Sequence, residues 1–226
     1  MIKKSTPASV GIIMDGNRRW AKAKGLPTFE GHRQGYEKLK EVLRWVKARG
    51  IGFLTVFALS TENWNRSKEE VAYLLDLIRL VLTVELQTIK NDGGKVVCIG
   101  QRERFPEDIR KLIVKAEQET ANLKGPTLVL ALSYGGRAEI IAAATEAAKK
   151  GTITEQTFTE SLWTKNIPDP DLVIRTSGEM RLSGFLPWQT TYSELFFTKT
   201  LWPDFSEKEF DEILEEFSKR DRRKGV

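Results

Sequence analysis

The sequence has little of several residue types that would point to common kinds of site. Its only cysteine, Cys98, has no second thiol with which to form an internal disulfide or a zinc site, so we expect a buried structural thiol. Its only histidine, His32, excludes a histidine metal cluster, and no Ser-His-Asp arrangement surrounds it. A structural role and a hydrogen bond to a phosphate both remain open for His32.

Long apolar runs and a strong charge bias are also missing. No uncharged stretch approaches the roughly 20 residues that span a bilayer, and no continuous signal-type run precedes Asp15. These absences predict a cytoplasmic protein. The net charge of +5 suits phosphorylated small molecules, nucleic acid or an acidic membrane surface. No nucleic-acid recognition motif is present, so we expect no nucleic-acid partner.

Short apolar runs rich in β-branched residues alternate with helical patterns along the chain. The strand-like runs lie at residues 10–14, 53–59, 95–99, 127–132, 172–174 and 195–198. Such runs are typical of strands buried on both faces of a parallel sheet. With no internal repeat or linker, they predict a single α/β domain over residues 1–226. Its sheet is expected to have about six mostly parallel strands, with helices on both faces.

The predicted helix at residues 68–90 is more apolar than one buried face requires. Apolar residues of the expected stripe and beyond it are Val71, Leu74, Leu75, Leu77, Ile78, Leu80, Val81, Leu82 and Val84. Three interpretations are open: a central core helix, a wall of a pocket for a hydrocarbon substrate, and a dimer contact.

A polar turn, Asp15-Gly16-Asn17-Arg18-Arg19-Trp20, follows the first strand. Ligands of open α/β sheets bind beyond the carboxyl ends of the strands. Gly16 permits a tight turn, and Asn17 is expected to cap the next helix, whose free N–H groups and arginines suit a phosphate. Asp15 fits beside a phosphate if Mg²⁺ bridges the two. An ordinary capped helix with surface arginines is the alternative.

Two further polar loops follow strands two and five. The first contains Ser60, Trp64 and Arg66, and a helix-capping loop is its alternative interpretation. The second, residues 175–183, contains two arginines, hydroxyls and a glycine, which suit a second phosphate. Two diphosphates and an apolar tail would account for both basic sites and for the apolar helix.

Six motifs in order make the sequence resemble the cis-prenyltransferases, the family of undecaprenyl diphosphate synthase and dehydrodolichyl diphosphate synthase. They are Ile13-Met14-Asp15-Gly16-Asn17, Gly31-His32, Ser60-Thr61-Glu62-Asn63-Trp64, Tyr134-Gly135-Gly136-Arg137, Arg175-Thr176-Ser177-Gly178-Glu179 and Leu201-Trp202-Pro203. The resemblance covers residues 12–225. It implies a Mg²⁺-dependent homodimer that condenses isopentenyl diphosphate with an allylic diphosphate, typically farnesyl diphosphate. The product would be a cis-polyprenyl diphosphate, a lipid-carrier precursor released with peripheral membrane contact.

The resemblance also implies roles for individual residues. Asp15 would bind Mg²⁺ and assist diphosphate departure, Glu194 would be a second metal contact, and Asn63 would take part in proton removal. The implied allylic diphosphate ligands are Gly16, Asn17, Arg18, Arg19, Trp20, His32, Ser60, Glu62, Trp64 and Arg66. The implied isopentenyl diphosphate ligands are Arg175, Arg181, Ser183, Arg223 and Gly225.

The sequence departs from the family pattern near the first turn. Arg18 stands where the common bacterial pattern has glycine, and Thr28 stands where many members have a diphosphate-binding arginine. We hypothesise that Arg18 supplies the charge missing at Thr28. Ala58 is small, as in members that make medium or long products. Some superfamily members are non-catalytic accessory subunits, which tend to lose the carboxylate at the position of Asp15; its presence favours an enzyme.

Overall fold

The computed structural model describes residues 6–221, and its centre is one six-stranded sheet. The strands are β1 (Ser9–Ile13), β2 (Phe53–Ser60), β3 (Lys95–Ile99), β4 (Thr127–Tyr134), β5 (Leu172–Arg175) and β6 (Glu194–Phe197). Their order is β3-β4-β2-β1-β5-β6, and every pairing is parallel. The predicted α/β fold is therefore confirmed, with each strand within two residues of its expected bounds.

Eight α-helices connect and cover the strands in the described part of the chain. They are α1 (Asn17–Ala23), α2 (Thr28–Ala48), α3 (Lys68–Leu80), α4 (Leu86–Asn91), α5 (Glu107–Thr120), α6 (Gly136–Lys149), α7 (Glu155–Thr159) and α8 (Glu207–Lys219). A π-helical segment, Val81–Glu85, joins α3 to α4. The apolar segment predicted as one helix is thus three successive helical pieces.

Local hydrogen bonds form the end of α2 and the start of α8. Gly50 adopts a left-handed φ of 68° after α2, and its N–H donates to the Lys47 carbonyl at 3.1 Å. The Ser206 hydroxyl accepts from the Glu209 N–H at 3.1 Å and caps α8. The Glu209 carboxylate does not complete the capping box, because it accepts from the Thr198 hydroxyl instead.

The two faces of the sheet bury different partners. On one face, alternate residues of β4 such as Leu128 and Leu130 pack in a core with side chains from α2, α3, α5 and α8. On the other face, Val129 and Ala131 pack with Phe185 and neighbouring side chains of the 163–186 segment. Cys98 is buried in the first core, as expected. Within residues 6–221, no helix has the length and apolar character needed to cross a membrane.

Candidate functional site

The turn after β1 is shaped by Gly16. Gly16 has a left-handed φ of 112°, and a Cβ there would lie 3.0 Å from Leu201. Gly16 itself is the residue before α1, and no side chain caps the helix. The prediction that Asn17 caps this helix is wrong, because Asn17 is already helical; its Nδ2 instead donates to the Met14 carbonyl at 3.3 Å.

Arg175 joins the Asp15 turn to the loop after β5. The parallel register places Arg175 beside Ile13, so its side chain reaches the next turn. Its Nη2 donates to Asp15 Oδ2 at 2.8 Å, while Nη1 donates to Ser183 Oγ at 2.8 Å and to the Arg181 carbonyl. The side chain is only 5% exposed. A buried guanidinium therefore holds the two predicted basic sites together.

The Asp15 carboxylate is held in its charged form. Burial alone would raise its pKa, but hydrogen bonds from Arg175 and Ser177 and the charges of Arg175 and Arg19 lower the pKa below its usual value. Arg19 Nη2 lies 3.3 Å from Asp15 Oδ1. A carboxylate that stays ionised can attract a metal ion, while the arginines beside it can attract a phosphate.

Arg19 extends the contact between the two loops. Its Nη1 donates to the Ser177 carbonyl at 3.1 Å and lies 3.5 Å from Glu179 Oε1. Glu179 in turn accepts from Arg181 Nη1 at 2.5 Å. Ser177 and Ser183 both have left-handed φ values, 81° and 50°, an unusual conformation for serine that clusters at functional sites.

Glu70 gathers three basic side chains on the other side of the turn. Its Oε1 accepts from Arg66 Nη1 at 2.7 Å, lies 3.2 Å from His32 Nε2 and lies 3.8 Å from Arg18 Nε. His32 is 9% exposed, and burial lowers its pKa despite the opposing hydrogen bond with Glu70. His32 is therefore neutral at pH 7.

Three cavities adjoin one another in this region through shared lining residues. The basic cavity is lined by Asp15, Arg18, Arg19, Lys22, His32 and Arg66. The head cavity follows it, shares Met14, Asn17 and His32 with it, and is lined mainly by apolar residues such as Ala58, Leu74, Ile78 and Trp202. The tail cavity lies beyond, along Leu43, Val46, Leu54, Ile89 and Leu128. Helix α3 is thus both a core helix and a wall of an apolar cavity.

Family comparison agrees with this arrangement. A prenyltransferase family model, described as "Putative undecaprenyl diphosphate synthase", matches residues 13–225. The chain belongs to the undecaprenyl diphosphate synthase family. The resemblance to cis-prenyltransferases inferred from the motifs is thereby confirmed, and the protein is an isoprenyl transferase by family.

Curated relatives of this isoprenyl transferase match it end to end. The "Isoprenyl transferase" of Thermotoga maritima is 46% identical over 225 residues, which cover 97% of each chain. The "Isoprenyl transferase" of Lactococcus lactis subsp. lactis is 45% identical over 227 residues, covering 97% of this chain and 93% of the relative.

Solved structures give the same family. Lavandulyl diphosphate synthase from Lavandula x intermedia, in complex with dimethylallyl diphosphate, has a TM-score of 0.93 and 37% identity, covering 98% of this chain and 99% of the other. A "probable undecaprenyl diphosphate synthase" from Campylobacter jejuni has a TM-score of 0.84 and 31% identity, covering 98% and 100%.

The isoprenyl transferase brings most of the predicted ligands to one edge of its sheet. Asp15, Gly16, Asn17, Arg18, Arg19, His32 and Arg66 line the basic cavity, and Arg175 connects Asp15 to Ser183. The exposed Arg181 reaches the same region through Glu179. Glu179 and Ser177 had no assigned role in the sequence, although both lie between the two arginines of the second loop.

The two tryptophans predicted as ligands of this isoprenyl transferase donate their indole N–H groups to other side chains. Trp20 is buried outside the basic cavity and donates its indole N–H to Asp204 Oδ1 at 2.7 Å, and its role as a diphosphate ligand stays a prediction. Trp64 donates its N–H to Ser133 Oγ at 2.9 Å and packs on Phe105. Only the ring surface of Trp64 is left to face a substrate.

The loop after β2 is stabilised by a hydrogen bond between its own residues. Asn63 Oδ1 accepts from the Ser60 N–H at 3.0 Å, the capping contact expected of a helical turn at residues 61–65. Glu62 is exposed. In this structure the carbonyl oxygen of Asn63 is therefore occupied by backbone capping.

Glu194 does not meet Asp15 within one chain. It opens β6 beside Leu172, three residues before the position level with Arg175, which is about 10 Å along the strand. Its Oε2 accepts from Arg220 Nη1 at 2.6 Å. The implied role of Glu194 as a second metal contact stays a prediction. Arg223 and Gly225 lie outside the described residues.

Proposed function

We propose that this protein condenses isopentenyl diphosphate with an allylic diphosphate, farnesyl diphosphate in the first instance, and builds a cis-polyprenyl diphosphate. The observation that carries the proposal is the Arg175 bridge. One buried guanidinium contacts both Asp15 and Ser183, so two anion-binding loops adjoin at the mouth of an apolar cavity. A reaction between two diphosphates, one with a long hydrocarbon tail, requires this arrangement.

The basic cavity is our proposed site for the allylic diphosphate. Arg18, Arg19 and Arg66 supply positive charge, and the Gly16 turn brings backbone close to the ligand. Arg18 is 58% exposed and lines the same cavity as Thr28. Arg18 is thus free to turn towards a phosphate, which supports the hypothesis that it replaces the charge missing at Thr28.

The Arg175, Arg181 and Ser183 cluster is our proposed site for isopentenyl diphosphate. Arg181 has a long, exposed side chain that can reach a ligand, while Arg175 is buried and held by its ion pair with Asp15. The nucleophilic double bond of isopentenyl diphosphate would then lie next to the carbon that loses its diphosphate at Asp15. Proximity of this kind removes much of the entropic barrier of a two-substrate reaction.

Asp15 suits a Mg²⁺ ion that is shared with substrate. Its lowered pKa keeps the carboxylate charged, and Mg²⁺ is commonly bound by one or two carboxylates together with substrate phosphates. The described residues offer no cluster of three acidic, histidine or cysteine ligands, so phosphate oxygens would complete the set. When bound, the ion would neutralise charge that develops on the leaving diphosphate.

Basic side chains of the protein can also stabilise the departing diphosphate. Arg19 and Arg66 are positioned to hold the departing diphosphate, and His32 can donate one N–H while neutral. Arg66, at the end of the loop at residues 60–66, lines the cavity, and closure of this loop would keep water from the allylic cation. We propose that Asn63 takes part in proton removal only after this loop has moved, because its oxygen now caps the loop.

The remaining parts of the proposal concern assembly and location. Large apolar side chains are exposed at Ile141, Met180 and Tyr192, and a homodimer contact would cover such surface. We also propose that the apolar product leaves at a membrane surface that the protein contacts only peripherally.

One assay tests the proposed function. Purified protein would receive Mg²⁺, farnesyl diphosphate and radiolabelled isopentenyl diphosphate, and butanol-extractable label would be counted. We expect time-dependent incorporation that vanishes with EDTA and returns with Mg²⁺. No extractable label from the protein alone would refute the catalytic proposal and favour an accessory subunit.

A further inference from the structure

A tyrosine–glutamate hydrogen bond stands between the two apolar cavities. Tyr36, Leu39 and Val81 line both the head cavity and the tail cavity, so they form the wall between them. The Tyr36 hydroxyl donates to Glu85 Oε1 at 2.5 Å across this wall. The bond ties α2 to the end of the π-helical segment Val81–Glu85.

Several features fix this hydrogen bond in place. Lys40 Nζ lies 3.3 Å from the same Glu85 oxygen, so a second side chain contacts the carboxylate. Burial and the contact with Glu85 raise the pKa of Tyr36, so its hydroxyl remains a donor. Val81 and Glu85 begin and end the π-helical segment, a distortion that is frequent at functional sites.

The two cavities differ in length along α2. The head cavity follows α2 from His32 to Leu39, about 10 Å at 1.5 Å per residue. The tail cavity follows it from Tyr36 to Lys47, about 16 Å by the same rise. A chain confined to the head cavity is therefore much shorter than one that enters both.

We propose that the Tyr36–Glu85 hydrogen bond is a stop that limits the length of the isoprenoid product. The inference rests on the proposed function, because it requires the growing tail to enter the head cavity from the Asp15 site. Ala58 leaves room in the head cavity, and Tyr36 closes its far end. Growth ends when the tail meets the Tyr36 ring, and the preformed tail cavity lies beyond.

The test is the product ladder on a reversed-phase plate after phosphatase treatment. Tyr36→Ala joins the cavities, so its longest product should exceed that of the wild type by at least one five-carbon unit. Glu85→Ala should shift the ladder in the same direction while leaving the aromatic ring present. If Tyr36→Ala does not fold, Glu85→Ala and Tyr36→Phe, which also remove the hydrogen bond, are tested for the same lengthening of the product ladder.

A control variant distinguishes the effect of removing the stop on product length from the effect of enlarging an apolar cavity elsewhere. Leu43 lines the tail cavity alone. Leu43→Ala should leave the wild-type ladder unchanged, whereas Leu43→Phe should shorten the ladder only in the Tyr36→Ala background.

The outcomes are distinguishable from failure of the proposed function. Wild-type protein that incorporates no isopentenyl unit refutes the function itself. Active Tyr36→Ala and Glu85→Ala variants with a wild-type ladder, or with a shorter one, would overturn the stop and leave only a structural brace. In that case the variants would lower the melting temperature without altering product length.

Discussion

Replacing Asp15 by alanine should lower stability as well as activity, because Arg175 depends on that carboxylate. Arg175 is 5% exposed, and its Nε has no hydrogen-bond partner among the described residues. Removing one partner of a buried ion pair costs about 3–5 kcal/mol. Asp15 is 30% exposed, and Arg175 keeps its bond to Ser183, so we expect a smaller loss of about 2 kcal/mol.

A loss of that size corresponds to about 4–8 °C in melting temperature for a domain of this length. Thermal unfolding followed by circular dichroism measures it, with Asp76→Ala as the control. Asp76 pairs with Arg79 at 2.8 Å but is 69% exposed, so its loss should cost no more than about 0.5 kcal/mol. An Asp15→Ala protein with the melting temperature of the wild type would show that burial of the Arg175 charge does not depend on Asp15. Its activity should be absent in either case.

Three further substitutions probe the site and the residues that support it. Gly35→Ala should destabilise the protein by about 2–4 kcal/mol, because a Cβ there would lie 2.2 Å from Asn17 Oδ1. Chemical denaturation measures this loss, with Gly52→Ala as the control. A Cβ at Gly52 would meet its nearest atom only at 3.5 Å, which is an ordinary contact distance. His32 has a lowered pKa, so the unfolded chain binds a proton first, and stability should fall as pH drops from about 6.5 towards the folded pKa. His32→Gln should flatten the dependence of melting temperature on pH in that range. An unchanged slope would show that another group causes the pH dependence. Arg18→Gly should raise KM for the allylic substrate several-fold with less effect on KM for isopentenyl diphosphate, and equal constants in steady-state assays would end the compensation hypothesis.

The sequence predicts the strands well because each is a short run of apolar residues whose signal is local. The bridge from Arg175 to Asp15 is different. It depends on β1 and β5 being neighbours in the sheet, which no local pattern contains. Glu194 is a local case too, because it directly precedes the predicted strand at residues 195–198 and is the first residue of β6 in the structure.

Two features near the first turn also depend on geometry that the sequence pattern does not contain. Gly16 takes the position before α1 in a left-handed conformation, which shifts Asn17 into the helix. Trp20 follows two arginines in sequence, but helical rotation turns it inward to Asp204. The hydrogen-bond hub at Glu70 required the docking of α2 against α3 and was not legible from spacing alone.

The configuration of the newly formed double bonds distinguishes cis-prenyl transfer from the alternatives. Wild-type protein would convert farnesyl diphosphate and ¹³C-labelled isopentenyl diphosphate, and NMR of the dephosphorylated product would assign each added unit. We expect every added unit to carry a cis double bond. Trans double bonds, or label that remains in isopentenyl diphosphate, would contradict it.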